Sequence, residues 1–486
     1  MNLEPILPEL TLAITTIVVI LLDLFIQKKV WLTVISLAGI AVATGFAVTL
    51  WGENPQTIFN NLLVIDNFAV FFKILLLVIV ALVLLASRDY VSKLRRFQGE
   101  YHALVLLAAI GMMLMAAGTD LISIFVSLEL SAIAFYALVG FLKDDRSTEA
   151  SLKFILLGGI ASAVLLFGMA LTFGFTGKTQ LAEIAQVIQQ MSPEVLLASS
   201  GLILGLVLMI AGFGFKIAAA PFQMWVPDVY EGAPTPVTLY LSVGSKIAGF
   251  AVILRVFFSA FGSPESLSQD WGLVFAVLSA IGMTLGNIIA IHQANIKRML
   301  AYSSIAHSGY IMIGLAAVGL TPIGDFTGQS FILFYVIAFA LADLAAFIAV
   351  IVISNKLNSD LIKDYAGIGK RAPVLAAVLT LSLISLIGLP PTAGFLAKFY
   401  IFTGAAGSGL LWLVIVAVIN SVISVYYYLR VVKVMWLGEP MFEGKIPSSN
   451  ATKFSLAICC SGILLLGIVP VVIMQIVETA ASSLSF

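Results

Sequence analysis

The stretch "GFGFKIAAAPFQMW", residues 212–225, decides the fold. It sets Lys216 five residues ahead of Pro221 inside an apolar run. A lysine at the centre of a membrane helix costs about 2.5–3.5 kcal/mol on insertion scales. A proline there removes a backbone donor and disturbs the helix. Unwound backbone at membrane depth survives only where protein or water satisfies it. Together the two features predict a broken helix that carries a charge for a purpose, in an all-α polytopic membrane protein.

The rest of the chain agrees with a membrane setting. Its 486 residues are 61% hydrophobic and 10% charged, with a mean hydropathy of +1.11. A soluble domain carries about 25% charged residues; this chain cannot cover a water-facing surface. Lys+Arg and Asp+Glu number 25 each, so the basic excess that nucleic-acid binding needs is missing. Cys459 and Cys460 are adjacent, cannot easily bridge to each other, and read as inert packing. The N-terminus, "MNLEPILPEL", has acids and no basic region, so a cleaved signal peptide is not expected.

Windows of about 20 apolar residues predict about 14 transmembrane helices. They centre near residues 10–26, 31–51, 67–87, 101–118, 120–142, 150–174, 198–226, 235–258, 271–292, 298–319, 328–354, 373–402, 409–436 and 453–480. The loops sort by charge. Lys28, Lys29, Arg88, Lys93, Arg95, Arg96, Lys143, Arg146, Lys153, Lys297, Arg298, Lys356, Lys363, Lys370, Arg371, Arg430, Lys433, Lys445 and Lys453 all fall at odd-numbered loops, whereas the even ones hold only Lys178. The positive-inside rule then puts both termini on the positive, non-cytoplasmic side.

Five bases fall within spans: Lys73, Lys216, Lys246, Arg255 and Lys398. Lys73 and Arg255 lie near outer helix ends and are expected to snorkel. The other three lie deep. Span 5, "LISIFVSLELSAIAFYALVGF", carries Glu129 about ten residues in, roughly 15 Å at 1.5 Å per residue. Span 8, "PVTLYLSVGSKIAGFAVILRVFF", carries Lys246 at similar depth. Burial disfavours charge and a nearby opposite charge restores it. At an effective dielectric near 20 and about 5 Å, a lysine and a carboxylate attract by about 3 kcal/mol. Pairing and separating such groups therefore switches a proton on and off. A purely structural salt bridge is the plainer alternative, but it does not account for three separated lysines and one glutamate. His307, in "AYSSIAHSGY" of span 10 with Ser303, Ser304 and Ser308, is placed to relay protons or to pack by a hydrogen bond. Asp343 in span 11 is either a further proton site or a partner for a neighbouring base. His102 and His292, near inner helix ends, are expected to be solvated.

Pro390 and Pro391 interrupt span 12 as Pro221 interrupts span 7, and Lys398 follows them. Paired interruptions in two halves point to a transport site in a repeat protein. The position of the breaks predicts two inverted five-helix repeats, helices 4–8 (residues 101–258) and 9–13 (271–436), with broken helices 7 and 12. Helices 1–3 (1–100) precede them and helix 14 (453–480) follows.

Three stretches carry a resemblance: "KIAAAPFQMWVPDVYEGAPTPVTLYLSVGSKIAGF" (216–250), "KRMLAYSSIAHSGYIMIGL" (297–315) and "LIGLPPTAGFLAKFYIF" (386–402). They closely resemble the antiporter-like subunits of proton-pumping complex I, the NADH:quinone oxidoreductase family with its plastid and cyanobacterial relatives. The fit is to the N type. The L type adds a long lateral helix after the fourteenth, and the M type carries glutamate where Lys398 stands. The resemblance implies a proton-translocating membrane subunit without a redox centre of its own. Flavin, iron–sulfur clusters and quinone are expected in partner subunits, among them other antiporter-like and quinone-site membrane subunits. It also implies that Glu129 pairs with Lys216, that Lys246 passes charge toward the second half, that His307 lies on the connecting axis, and that Lys398 serves the outward route. It implies nothing for Asp343. Two alternatives are a subunit of a multi-subunit cation/proton antiporter and a non-pumping membrane scaffold.

Overall fold

A computed structural model describes residues 3–91, 97–192, 199–321, 327–440, 444 and 446–484. Lys93, Arg95, Arg96 and Lys445 lie outside the described residues. The chain is almost entirely helical. The helices are α1 (Leu7–Asp23), α2 (Val30–Thr49), α3 (Asn67–Val91), α4 (Gln98–Ala117), α5 (Leu121–Val139), α6 (Asp145–Thr176), α7 (Leu181–Gln189), α8 (Ser200–Lys216) and α9 (Trp225–Gly232). There follow α10 (Thr235–Phe261), α11 (Glu265–Ile291), α12 (Ile296–Leu320), α13 (Thr327–Leu357), α14 (Pro373–Ile387), α15 (Ala393–Gly407), α16 (Leu411–Leu437), α17 (Asn450–Ile468) and α18 (Val471–Ser482).

Among the described residues, twelve helices are long and apolar enough to cross a membrane. The apolar helices α8, α14 and α18 are shorter. The protein is an integral, multi-pass membrane protein. Local chemistry sets the helix starts. Asp120 caps α5 through the amides of Ile122 and Ser123, Asp144 caps α6 through Ser147, and Asn295 caps α12 through Lys297 and Arg298. An antiparallel hairpin pairs Gln56–Ile58 with Leu63–Ile65. The amphipathic helix α7 lays Leu181, Ile184 and Ile188 onto the protein from the connection between α6 and α8, an element the span count had no way to register.

The interior is built on α10, α12 and α13, the most enclosed of the spanning helices. Small residues let α12 close on α11: Gly319 lies so near its backbone that an added Cβ would stand 2.7 Å from the Cα of Gly272. These central helices carry Lys246, His307 and Asp343. Near the start of α10, residues Leu241–Ser245 form a single π turn just before Lys246, the kind of widening that re-aims side chains at functional sites.

Both breaks expected at prolines, one at Pro221 and one at Pro390–Pro391, are present. α8 stops at Lys216, Ala218 takes a positive φ of 59°, and the chain resumes as α9. α14 stops at Ile387, Gly388 turns with φ 88°, and α15 begins at Ala393. The peptides Ala220–Pro221 and Pro390–Pro391 are cis.

Candidate functional site

Lys216 is the last residue of α8 and is buried. A cation there faces the negative end of the helix dipole. Its Nζ donates to Ser131 Oγ at 3.1 Å and lies 5.9 Å from the Phe135 ring centre. Glu129, two residues before Ser131, is half-buried and accepts from Ser162 of α6 instead. The two groups expected to pair therefore stand apart, each held by a serine. Beside Lys216 and Ser162 is a cavity with about 20 Å³ of space for the centre of a water, lined also by Tyr136, Trp225 and Ser245. That is room for one water.

The break itself is satisfied by side chains. Trp225 Nε1 donates to Phe215 O at 3.1 Å, and Ser308 Oγ donates to Ile217 O at 2.6 Å. Ser308 also donates to Ser304 O at 3.1 Å. Ser304 receives Lys246, whose Nζ donates to its carbonyl at 2.6 Å and to its hydroxyl. Ser304 Oγ stands 3.3 Å from Ser242 Oγ, and Ser242 donates to Asp343 Oδ2. The π turn supplies Ser242 to this cluster and Ser245 to the cavity at Lys216.

The line continues into the second half. Ser303, next to Ser304, bonds Tyr428 Oη. His307 sits between two tyrosines, with Nδ1 at 2.8 Å from Tyr335 Oη and Nε2 at 3.4 Å from Tyr428 Oη. The rings of Tyr427 and Tyr428 are 4.3 Å apart. Tyr427 Oη donates to Asn287 Oδ1 at 2.9 Å, and Asn287 Nδ2 reaches Tyr310 Oη at 3.4 Å. Ser421 Oγ donates to Tyr310 Oη at 3.2 Å, and Lys398 Nζ donates to Ser421 Oγ at 3.2 Å. Lys398 also donates 2.8 Å to Ile387 O, the last carbonyl of α14, and its Nζ lies 4.4 Å from the Tyr310 ring centre. The structure thus strings Lys246, Asp343, His307 and Lys398 along a row of closely spaced polar groups, which reaches the break after Lys216 at the Ile217 carbonyl.

Three expectations need correction. Lys73 and Arg255 do not snorkel: both are fully buried. Lys73 Nζ is 2.8 Å from Glu9 Oε1. Arg255 grips both oxygens of Asp66 at 2.5 and 2.9 Å, donates to Ala116 O, and lies 4.7 Å from the Phe68 ring. The N-terminal helix and the hairpin segment cover these helix ends, so depth along the helix misjudged their surroundings. His102 is not solvated either; it is buried, with Nε2 2.9 Å from Thr33 Oγ1 and Nδ1 2.7 Å from Gln98 O. His292 is exposed, as expected. Cys459 and Cys460 are free thiols.

At the odd-loop side, bases expected only to set orientation also clamp α9. Asp228 receives Lys153 at 2.9 Å and Arg298 at 2.7 Å, and Glu231 receives Arg298 at 2.9 Å. Burial opposes ionisation of Asp228, but the hydrogen bonds from Arg298 and Lys153 outweigh it and hold its carboxyl below the usual carboxylate range. Beside this corner opens a polar cleft of about 580 Å³ lined by Arg146, Glu231, Asn295, Ser354 and Asp360. Among the described residues, no group of three or more His, Cys, Asp or Glu side chains could hold a metal.

The model of the NADH:quinone oxidoreductase/Mrp antiporter transmembrane family matches residues 117–424. Subunit N of the NADH-quinone oxidoreductase of Dehalococcoides mccartyi is 51% identical over 477 residues, covering 98% of each chain. Subunit N from Trichlorobacter lovleyi is 43% identical over 485 residues, covering 99% of this chain and 97% of that one. A chain of respiratory complex I from Thermus thermophilus superposes with a TM-score of 0.80 at 29% identity, over 96% of this chain and 98% of that one.

Proposed function

We propose a mechanism from one premise: this chain belongs to the NADH:quinone oxidoreductase/Mrp antiporter transmembrane family, in its subunit N branch. It works as a proton-translocating subunit of a redox-driven NADH:quinone oxidoreductase. Electrons pass through flavin, iron–sulfur clusters and quinone in partner subunits. Their energy arrives here as changes of charge and hydration along the central polar line. The odd-numbered loops face the side from which protons are taken, and both termini face the positive side. Residues 101–258 and 271–436 act as two inverted repeats, a reading supported by the matched positions of the two breaks.

The observation that carries this reading is the row of buried polar groups running from Lys246 and Asp343 past His307 to Lys398, with Lys216 one residue ahead of the carbonyl that Ser308 holds. In the arrangement described, Glu129 is held by Ser162 and Lys216 by Ser131. That is the separated state of the switch. Pairing requires Glu129 to leave Ser162 and approach Lys216, beside which lies the one-water cavity. Their attraction, about 3 kcal/mol at 5 Å and an effective dielectric near 20, is comparable to the roughly 2.3 kcal/mol needed to move one charge against 100 mV. A proton held at Lys216 passes to Lys246, crosses His307 between its tyrosines, and leaves by Lys398. The test is Lys216→Ala in the whole complex, reconstituted into vesicles. Quinone reduction is expected to continue with fewer protons moved per electron; an unchanged ratio overturns the role of Lys216.

A further inference from the structure

Asp343 is 1% exposed, and only one of its oxygens is used. Oδ2 accepts from Ser242, whereas Oδ1 has no hydrogen-bond partner among the described residues. A buried carboxylate oxygen without a donor is expensive, which favours a protonated carboxyl or a further donor at this position. A second orphan lies close by. The hydroxyl of Tyr230, also buried, makes no well-formed hydrogen bond among the described residues, and it lies near Ser242 and Ser304 and within the field of Asp343. On the far side of the same two serines is Lys246, which interacts electrostatically with Asp343 but forms no ion pair with it.

We propose that Asp343 is the proton-exchange partner of Lys246, reached through Ser304 and Ser242, with Tyr230 as the donor that steadies its ionised form. The inference rests on the proton line proposed above. In the exchange, Lys246 gives a proton to Ser304 Oγ, Ser304 gives its own to Ser242 Oγ, and Ser242 gives its own to Asp343. One N–H bond breaks and one O–H bond forms. The ammonium becomes an amine, the carboxylate becomes a carboxylic acid, and no electrons are exchanged. The reverse transfer restores both charges, and Tyr230 then turns its hydroxyl onto Oδ1. Two charges at the centre of the protein thereby disappear and reappear together.

The test uses the whole complex in proteoliposomes, with protons per electron measured for Asp343→Asn, Asp343→Glu and Lys246→Ala. Asp343→Asn is expected to fall to the value of Lys246→Ala, and Asp343→Glu to stay near the parent. Infrared difference spectra of the turning-over complex are expected to show a carboxylic-acid C=O band that vanishes in Asp343→Asn and shifts in Asp343→Glu, a readout that a packing role would not move. Normal pumping in Asp343→Asn beside impaired pumping in Lys246→Ala overturns this proposal alone. Normal pumping in both overturns the proton line itself. If Asp343→Asn fails to assemble, the band shift in Asp343→Glu and pumping in Ser242→Ala decide; no shift together with an unchanged ratio overturns the exchange.

Discussion

The buried bases near the even-loop side and those along the central axis meet the same cost in opposite ways. Lys73 and Arg255 are each locked to a carboxylate, Glu9 and Asp66, with nothing between. Lys216, Lys246 and Lys398 are held by hydroxyls and backbone carbonyls, and none makes an ion pair among the described residues. A direct buried pair fixes both charges, because neutralising one leaves the other stranded. A lysine held by serines and carbonyls keeps good partners when it loses its proton, since an amine can still donate. The first arrangement suits a fastening and the second suits a proton carrier. The serines at Lys216 and Lys246 keep a carboxylate near without letting it seize the base.

The largest effect that would break this contrast is on stability. Arg255→Ala leaves Asp66 buried and uncompensated, and is expected to cost about 3–5 kcal/mol. It is read as an earlier melting or loss of the subunit from the solubilised complex. Adding Asp66→Ala to it should cost little more. Lys398→Ala is expected to cost less, about 1–3 kcal/mol for the stranded Ile387 carbonyl, while removing most of the proton movement assigned to this chain. If Lys398→Ala melts the complex as early as Arg255→Ala, the distinction between fastening and carrier falls.

The two broken helices show how far the sequence could be read. The lysine precedes its proline in "KIAAAP" and follows its prolines in "PPTAGFLAK", an apparent reversal. In space the two converge. Lys216 is itself the C-terminal residue of α8, and Lys398 reaches back from α15 to the C-terminal carbonyl of α14. Both cations sit at the negative end of a half-helix. Breaks, deep bases and span positions are legible because they depend on order along one chain and on depth. Lateral neighbours are not. Nothing in the spacing says that Asp66 closes on Arg255 across 189 positions, or that α2 brings Thr33 to His102. Ser131, Ser162, Ser242, Tyr230 and the tyrosines of α16 were missed for the same reason, although the polar run "NSVISVYYY" (420–428) in an apolar helix was a signal.

A smaller effect sharpens the contrast at Lys216. Ser131→Ala removes the hydroxyl that holds the ammonium, and the adjoining one-water cavity allows a solvent molecule to take its place. The expected loss of stability is about 1 kcal/mol. If the serine's work is to keep Glu129 at a distance, proton movement in this variant falls more than stability does, measured as protons per electron beside the melting midpoint.

The smallest effect tests whether pairing without burial behaves as either kind. Asp228 is paired directly with Arg298 and Lys153, but its side chain is 37% exposed. Solvent screens such contacts. Its carboxyl is held below the usual range against an opposing burial, by those two bases. A depressed folded-state pKa contributes stability that is complete above the unfolded value, about 3.9 for aspartate. That contribution fades as pH falls through the folded value. Asp228→Asn should therefore lower the melting midpoint slightly near neutral pH and flatten its fall on acidification. The difference from the parent should shrink in high salt. A large salt-independent loss at neutral pH would class Asp228 with Asp66 as a fastening, and would place the clamp on α9 among the structural pairs.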